Sequence, residues 1–146
     1  MSKDVIISIK STVSSPEPED FEFVTTGLMT VHDGKFSISY KENEEYGMGT
    51  TQTLLEIEQS KVTVTRVGEL SSRMVFERGQ KHVSYYDTDA GAMTVGIITH
   101  GIDRTLSDSG GDLKIDYEVD INNAHSSENA FRMTVREMSG PDYGAN

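Results

Sequence analysis

The run SYKENEEYGMGTTQT, from Ser39 to Thr53, is the most site-like stretch of this chain. Its three glutamates would supply paired carboxylates for general acid–base catalysis, and its Gly-x-Gly would present backbone amides to a phosphate. However, GMG lacks the third glycine and the following helix that a phosphate loop requires, and a polar loop rich in glutamate is usually solvated. We therefore interpret the run as a strand end with Tyr40 facing inward, an acidic hairpin loop, and a new strand from Thr50.

Arg66 is the side chain best suited to bind an anion. It lies in KVTVTRV and shares the alternation phase of Val62 and Val64, so it is predicted to point into the interior. A buried guanidinium requires a partner, and its planar fork matches a carboxylate or a phosphate. Three partners stay open at this point: a ligand anion, an internal glutamate or aspartate, or solvent at the rim.

Three strand tyrosines, Tyr40, Tyr85 and Tyr117, would add hydroxyl groups to the same interior, because a buried tyrosine hydroxyl needs a partner. With Glu42 at the loop, they and Arg66 form the candidate ligand-binding set. The alternative is that these tyrosines pack in the wall with their hydroxyls at the rim. No catalytic residue is assigned, since no Gly-x-Ser-x-Gly elbow supports a Ser-His-Asp triad.

The histidines give no sign of a metal centre. His32, His82, His100 and His125 lie in four different segments, and Asp103 follows three residues after His100 at a turn. A metal site needs ligands that converge, and the chain has no cysteine. We expect no metal site and no cofactor.

The elements that must carry these residues are short alternating strands. FSISYK places Phe36, Ile38 and Tyr40 on one side, and DLKIDYEVDI alternates apolar with charged residues over its whole length. Turn signals such as Asp33-Gly34 separate the strands. No window has a convincing helical period, and the weak candidates are short turns near Ser71 and Ser126. The pattern predicts about eight to ten strands.

This arrangement predicts an all-β fold, a single antiparallel up-and-down (meander) β-barrel formed by one domain over residues 1–146. An open sheet would leave unpaired edges and a bare apolar face, so we expect the last strand to pair with the first. A β-sandwich is the alternative. The ordered core is predicted over 4–138, followed by a polar tail at 139–146.

The composition limits the partners. The net charge of −11, from 24 acidic and 13 basic residues, has the wrong sign for binding nucleic acid or an anionic membrane. MSKDVIISIK has an apolar run too short for a signal peptide or a membrane span, and with no cysteine in the chain we expect a cytoplasmic protein. Outward apolar residues such as Ile6, Leu28 and Val75 leave a homodimer open.

Several ordered motifs resemble a known bacterial family. They are Thr26-Gly27, Ser39-Tyr40 with Glu42, Arg66 with Gly68, Met74 with Phe76 and Gly79, Thr88 with Gly91, and Ile115 with Tyr117. Over nearly the whole chain they are similar to the YwiB-like proteins. The resemblance implies a small lipocalin-like, or calycin-like, β-barrel and no assigned activity. Unlike secreted lipocalins, which carry a Gly-x-Trp near the first strand, this chain has no tryptophan.

Three functional classes remain. The favoured class is a non-catalytic barrel that binds a small anionic or apolar ligand. A structural or protein-interaction barrel with a filled core follows closely, and an enzyme that uses the barrel mouth is the least favoured. Large inward residues predict a small or narrow cavity: Phe21, Phe23, Phe36, Met74, Phe76, Met93, Phe131 and Met133.

Overall fold

The structure, a computed structural model, describes residues 2–15, 17–42, 51–68, 72–88 and 91–138. The described residues form ten strands and no helix. The strands are β1 (Ser2–Ser15), β2 (Glu19–His32), β3 (Lys35–Glu42), β4 (Thr51–Ile57), β5 (Lys61–Gly68), β6 (Ser72–Glu77), β7 (Lys81–Thr88), β8 (Gly91–Arg104), β9 (Gly110–Ile121) and β10 (Ala124–Glu137). Most of the acidic loop and the polar tail that the sequence predicts lie outside the described residues.

The ten strands form one antiparallel sheet in the order β6-β5-β4-β3-β2-β1-β10-β9-β8-β7. The first and last strands pair along nearly their full lengths, from Val5 opposite Glu137 to Ser15 opposite Glu128. Beyond that ladder, the amide of Met138 donates to the carbonyl of Asp4 at 3.0 Å. The predicted all-β meander and the pairing of its two ends are confirmed, and the sheet curls into a nearly closed barrel.

The barrel has a seam, a gap in the strand pairing, between β6 and β7. β6 and β7 follow each other in sequence, yet they stand at opposite ends of the strand order. The turn between them closes with a hydrogen bond from the Gln80 amide to the Glu77 carbonyl at 2.9 Å. Its backbone then bonds β8, because Gly79 donates to Thr99 at 2.9 Å and Thr99 donates to Gln80 at 3.2 Å. The turn therefore docks on β8 instead of extending a β6–β7 ladder.

Two-residue turns close the β2–β3 hairpin and the β9–β10 hairpin. Asp33 and Gly34, between β2 and β3, have φ values of 50° and 78°, and Asn122 and Asn123, between β9 and β10, have 52° and 67°. Positive φ at both residues matches the right-handed twist of paired strands, and asparagine, aspartate and glycine tolerate it best. We call the end of the barrel at Asn122–Asn123 the upper end and the end at Asp33–Gly34 the lower end.

Alternate residues of the strands fill the barrel. Val5, Ile7 and Ile9 of β1 are buried while their neighbours are half-buried or exposed, which is the expected period of two. The middle of the barrel is densely occupied. The largest fully buried side chains are Ile7, Met29, Ile38, Leu55, Ile57, Ile102, Leu113, Ile115, Met133, Val5, Val62 and Val135. Within the described ranges, no helix is long and apolar enough to cross a membrane.

Besides an irregularity between Val13 and Ser15 in the β1–β10 register, two others interrupt this alternation on the strands that flank β9. The β8–β9 register skips one residue between Thr99 and Gly101, and the β10–β9 register skips one between His125 and Ser127. Each is a β-bulge, which re-aims the side chains around it. Ser126, where the sequence showed a weak helical pattern, therefore lies in the bulge of β10 and not in a helix.

Candidate functional site

A cavity of about 170 Å³ lies inside the barrel toward its upper end. Aromatic, aliphatic and methionine side chains form most of its wall, and Arg66 supplies the one charged group among the lining residues. The lining residues are Ile9, Ser11, Phe21, Phe23, Tyr40, Val64, Arg66, Met74, Phe76, Ile115, Tyr117 and Phe131. The densely packed middle of the barrel forms the floor beneath it.

One inner row of the sheet brings two candidate residues together. Tyr40 lies opposite Thr53, and Thr53 lies opposite Arg66, so these three residues follow one another across β3, β4 and β5. Side chains of directly opposed residues share a face of the sheet. Tyr40 is 5% exposed and Thr53 is fully buried. The alternation in KVTVTRV therefore predicted the inward direction of Arg66 correctly.

A glycine makes room beside this row. Gly27 on β2 lies opposite Tyr40. A Cβ atom at Gly27 would lie 2.2 Å from the carbonyl oxygen of Ser39 and 2.8 Å from Cδ1 of Ile7. Both distances are too short for any side chain, so the packing beneath Tyr40 depends on a glycine at this position.

Arg66 and Tyr117 approach the cavity from β5 and β9. The Nε atom of Arg66 is buried. Burial raises the pKa of the Tyr117 phenol above 10.0, and the positive charge of Arg66 partly offsets that rise. The guanidinium and the phenol therefore interact electrostatically, and Tyr117 remains a neutral hydrogen-bond donor at neutral pH.

Aromatic rings form two stacked groups in the cavity wall. Phe23 lies between Phe21 and Tyr40, with ring centroids 5.4 Å and 6.0 Å away, respectively. Phe76 meets Tyr117 edge to face at 4.8 Å and 70°. Tilted and edge-to-face pairs at these separations are favourable. They give the cavity firm, flat walls of the kind that accept another ring.

The structure brings together three of the five candidate residues. Arg66, Tyr40 and Tyr117 line the same cavity. Glu42 ends β3 opposite Thr51, and its side chain lies outside the described part of the structure.

The inward placement of Tyr85 is wrong. Tyr85 is 81% exposed, because it lies on the solvent face of β7 with Lys81 and Val83. The other face of β7, which carries His82, is the less exposed one. His82 lies opposite Ile97, which is 3% exposed. In YY of KHVSYYDT only one tyrosine can face inward, and a shift of one residue exchanges the two faces.

The sequence pattern did not indicate a second interior arginine, Arg104. Arg104 ends β8 in the phase of Ile102, and its guanidinium lies 5.6 Å above the ring of Phe36 near the lower end. Its Nη1 atom is buried and has no hydrogen-bond partner among the described residues. The signal was present, because IDR continues the alternation of β8 past Gly101, but the bulge at His100 concealed the phase.

The outer face of the barrel carries a cluster of ionisable side chains, which the spacing of the histidines did not indicate. Glu118 on β9 contacts His100 Nε2 at 2.9 Å and His125 Nδ1 at 3.1 Å. These hydrogen bonds, first from His100 and then from His125, hold the pKa of Glu118 below 4.5. His100 is therefore paired with Glu118 and not with the nearby Asp103.

Comparison with known proteins places the chain in a family. The model of a family described as "Domain of unknown function (DUF1934)" matches residues 7–133. The chain belongs to this family. The matched range of the DUF1934 domain includes both the cavity residues and the histidine–carboxylate cluster.

The relatives agree on the fold and leave the function of the DUF1934 domain unassigned. The "Uncharacterized beta-barrel protein YwiB" of Bacillus subtilis (strain 168) is 25% identical over 137 residues, which cover 93% of this chain and 94% of the relative. The crystal structure of the ywiB protein from Bacillus subtilis matches with a TM-score of 0.75 and 22% identity, covering 93% of this chain and 92% of that one. The predicted YwiB-like resemblance and β-barrel are confirmed.

Proposed function

We propose that this protein is a non-catalytic binder of a small organic anion, held in the upper cavity of the barrel. The observation that carries the proposal is the position of Arg66, whose Nε is buried and which is the one charged side chain among the described residues of an otherwise mostly apolar cavity wall. Small-molecule sites commonly combine such a wall with a few polar groups that orient the ligand.

The volume of the cavity restricts the ligand to a small one. A cavity of about 150 Å³ lined by apolar side chains accommodates benzene, whereas sites for drug-sized ligands measure roughly 300–1,000 Å³. At about 170 Å³, this cavity fits a single ring or a short aliphatic chain. A long-chain fatty acid exceeds this volume.

The polar groups specify the ligand further. The guanidinium of Arg66 offers two parallel N–H donors to a carboxylate, while Tyr40 and Tyr117 line the same cavity. The raised pKa of Tyr117 keeps its proton in place to donate to an anion. The flat walls formed by Phe23 and Phe76 favour a ring, so the best-fitting class is a small aromatic or alicyclic carboxylic acid.

A second candidate function, a structural or interaction barrel, has its own supporting observation. Large apolar side chains are fully buried in the middle of the barrel, and several others are exposed on the surface, among them Val24 at 69% and Val67 at 63%. Such a protein would act through its surface and would bind no internal ligand. The two candidates therefore differ in whether the upper cavity accepts a ligand.

A thermal-shift experiment separates them. Benzoate and cyclohexanecarboxylate are compared with their neutral analogues benzyl alcohol and cyclohexylmethanol, using the wild type, Arg66→Met and Arg73→Met. Arg73 is the matched control, because it is exposed on the outer face of β6. The proposal predicts that the carboxylates raise the melting temperature of the wild type and Arg73→Met, and that Arg66→Met loses this response. No response of the wild type to any carboxylate favours the interaction barrel.

The homodimer, the lack of nucleic-acid and membrane partners and the cytoplasmic location stay predictions from the sequence. Size-exclusion chromatography with light scattering at several protein concentrations tests the first of these directly.

A further inference from the structure

Three strands bring histidine and carboxylate side chains together on the outer face of the barrel. His100 comes from β8, Glu118 from β9 and His125 from β10. The two imidazoles contact different oxygens of the same carboxylate, Oε1 at 2.9 Å and Oε2 at 3.1 Å. Both histidine side chains are about half exposed, so the group is accessible from solvent.

Both histidines owe their positions to β-bulges. His100 is the extra residue where β8 passes β9, and His125 lies directly before the bulge of β10, opposite Asp120. Bulges commonly re-aim side chains at functional places in sheets. Here two independent bulges on the two neighbours of β9 aim imidazoles at the same point.

Asp120 completes a set of possible metal ligands. One ligand atom from each of Glu118, Asp120 and His125 lies within 4.8 Å of the other two. The side chain of Asp120 is only 13% exposed, and its Oδ2 contacts Lys81 Nζ at 3.0 Å, which leaves Oδ1 to act as a ligand. Imidazole nitrogen and carboxylate oxygen are the donor types that Zn²⁺ accepts, with a water molecule completing four-coordination.

The charge around the cluster also favours a bound cation. Glu118 lies directly opposite Glu128 across the β9–β10 pair, and like charges in that arrangement destabilise a sheet. Asp120 adds a third carboxylate to the same face. Against these three negative charges, Lys81 is the cation paired within the cluster.

We propose that Glu118, Asp120 and His125 bind a divalent transition-metal ion, with His100 as a positioning residue that hydrogen-bonds the Glu118 carboxylate. Ligands about 2.1 Å from a tetrahedral metal lie roughly 3.4 Å from one another. The ligand atoms, which lie within 4.8 Å of one another, must therefore draw together by up to about 1.4 Å. His125 would exchange its hydrogen bond to Glu118 for a bond to the metal.

Isothermal titration of the chelator-treated full chain with Zn²⁺ tests this assignment, with circular dichroism to confirm that each variant is folded. The wild type is expected to bind one Zn²⁺ per chain. His125→Gln and Glu118→Gln are each expected to lose binding at least tenfold, and His100→Gln to lose about 10- to 100-fold, as removal of a group that orients a ligand does.

The matched control is His32→Gln, which removes a histidine that is exposed at the lower end of the barrel and beside an aspartate. Its affinity for Zn²⁺ is expected to equal that of the wild type. The proposal is overturned if the wild type binds no Zn²⁺, if folded His125→Gln binds as tightly as the wild type, or if His32→Gln weakens binding to the same extent. Loss of this outer site would leave the upper cavity unaffected.

Discussion

Tyr117 on β9 is partly buried, and the charge of Arg66 on β5 partly offsets the rise that this burial causes in the pKa of the Tyr117 phenol. The two residues line the same cavity. A neutral phenol with a pKa raised by burial makes the stability of the fold depend on alkaline pH.

The first prediction concerns that alkaline dependence. The folded-state pKa of Tyr117 is raised above 10.0, so its contribution to stability is fully present below about pH 10 and is lost as the pH rises through the folded-state pKa. Tyr117→Phe is therefore expected to lose less unfolding free energy than the wild type between about pH 9 and 11.5. Urea unfolding at each pH measures this.

Two variants sharpen that measurement. Arg66→Met removes the offsetting charge, so its stability should fall further at alkaline pH than that of the wild type. Tyr85→Phe changes a tyrosine that is 81% exposed and serves as the control. If Tyr117→Phe and the wild type lose stability in parallel, Tyr117 is not the buried neutral phenol that the structure shows.

The second prediction concerns the close packing below the cavity. Gly27→Ala would force a Cβ atom to within 2.2 Å of the Ser39 carbonyl oxygen, and overpacking of this kind costs about 1–3 kcal/mol. We expect a lower urea midpoint with an unchanged slope. Gly101→Ala is the matched control, because its Cβ would meet nothing closer than Asp116 Oδ2 at 3.9 Å. Equal losses in the two variants would refute the packing argument.

The third prediction concerns the lower end of the barrel. The guanidinium of Arg104 lies 5.6 Å above the Phe36 ring, and such a cation–π contact contributes about 0.5–2 kcal/mol. A double-mutant cycle of Arg104→Met and Phe36→Leu, measured by urea unfolding, should give a coupling energy in that range. Arg104→Met with Phe21→Leu, a change near the upper end, should be additive within about 0.5 kcal/mol. A zero coupling in the first cycle contradicts the contact.

The strands and their closure were predictable from the sequence because each depends on a local pattern. Alternation in FSISYK and KVTVTRV sets which side chains face inward, and it placed Tyr40 and Arg66 correctly. The pairing of β1 with β10 followed from the need to remove two exposed edges. The seam between β6 and β7 could not be predicted from the sequence. It depends on hydrogen bonds between the β6–β7 turn and Thr99, which lie far apart in the chain.

The sites were harder to predict where the alternation is interrupted or ambiguous. The sequence of β7 does not fix the phase of Tyr85, and its predicted inward direction is wrong. The inward direction of Arg104 and the approach of His100 to Glu118 were not predictable, because the extra residue of a bulge shifts the inward–outward alternation of the residues after it. Convergence of side chains from three strands depends on register, which alternation alone does not specify.

Isothermal titration of benzoate into the wild type and into Arg66→Met measures directly whether Arg66 binds an anion in the upper cavity. Hydrogen bonds to a charged group contribute about 1.5–3 kcal/mol, and a tenfold change in affinity corresponds to about 1.4 kcal/mol. The proposed anion site is expected to bind one benzoate per chain, roughly 10- to 100-fold more weakly in Arg66→Met. Absence of binding by the wild type, or equal affinity in the two proteins, would contradict it.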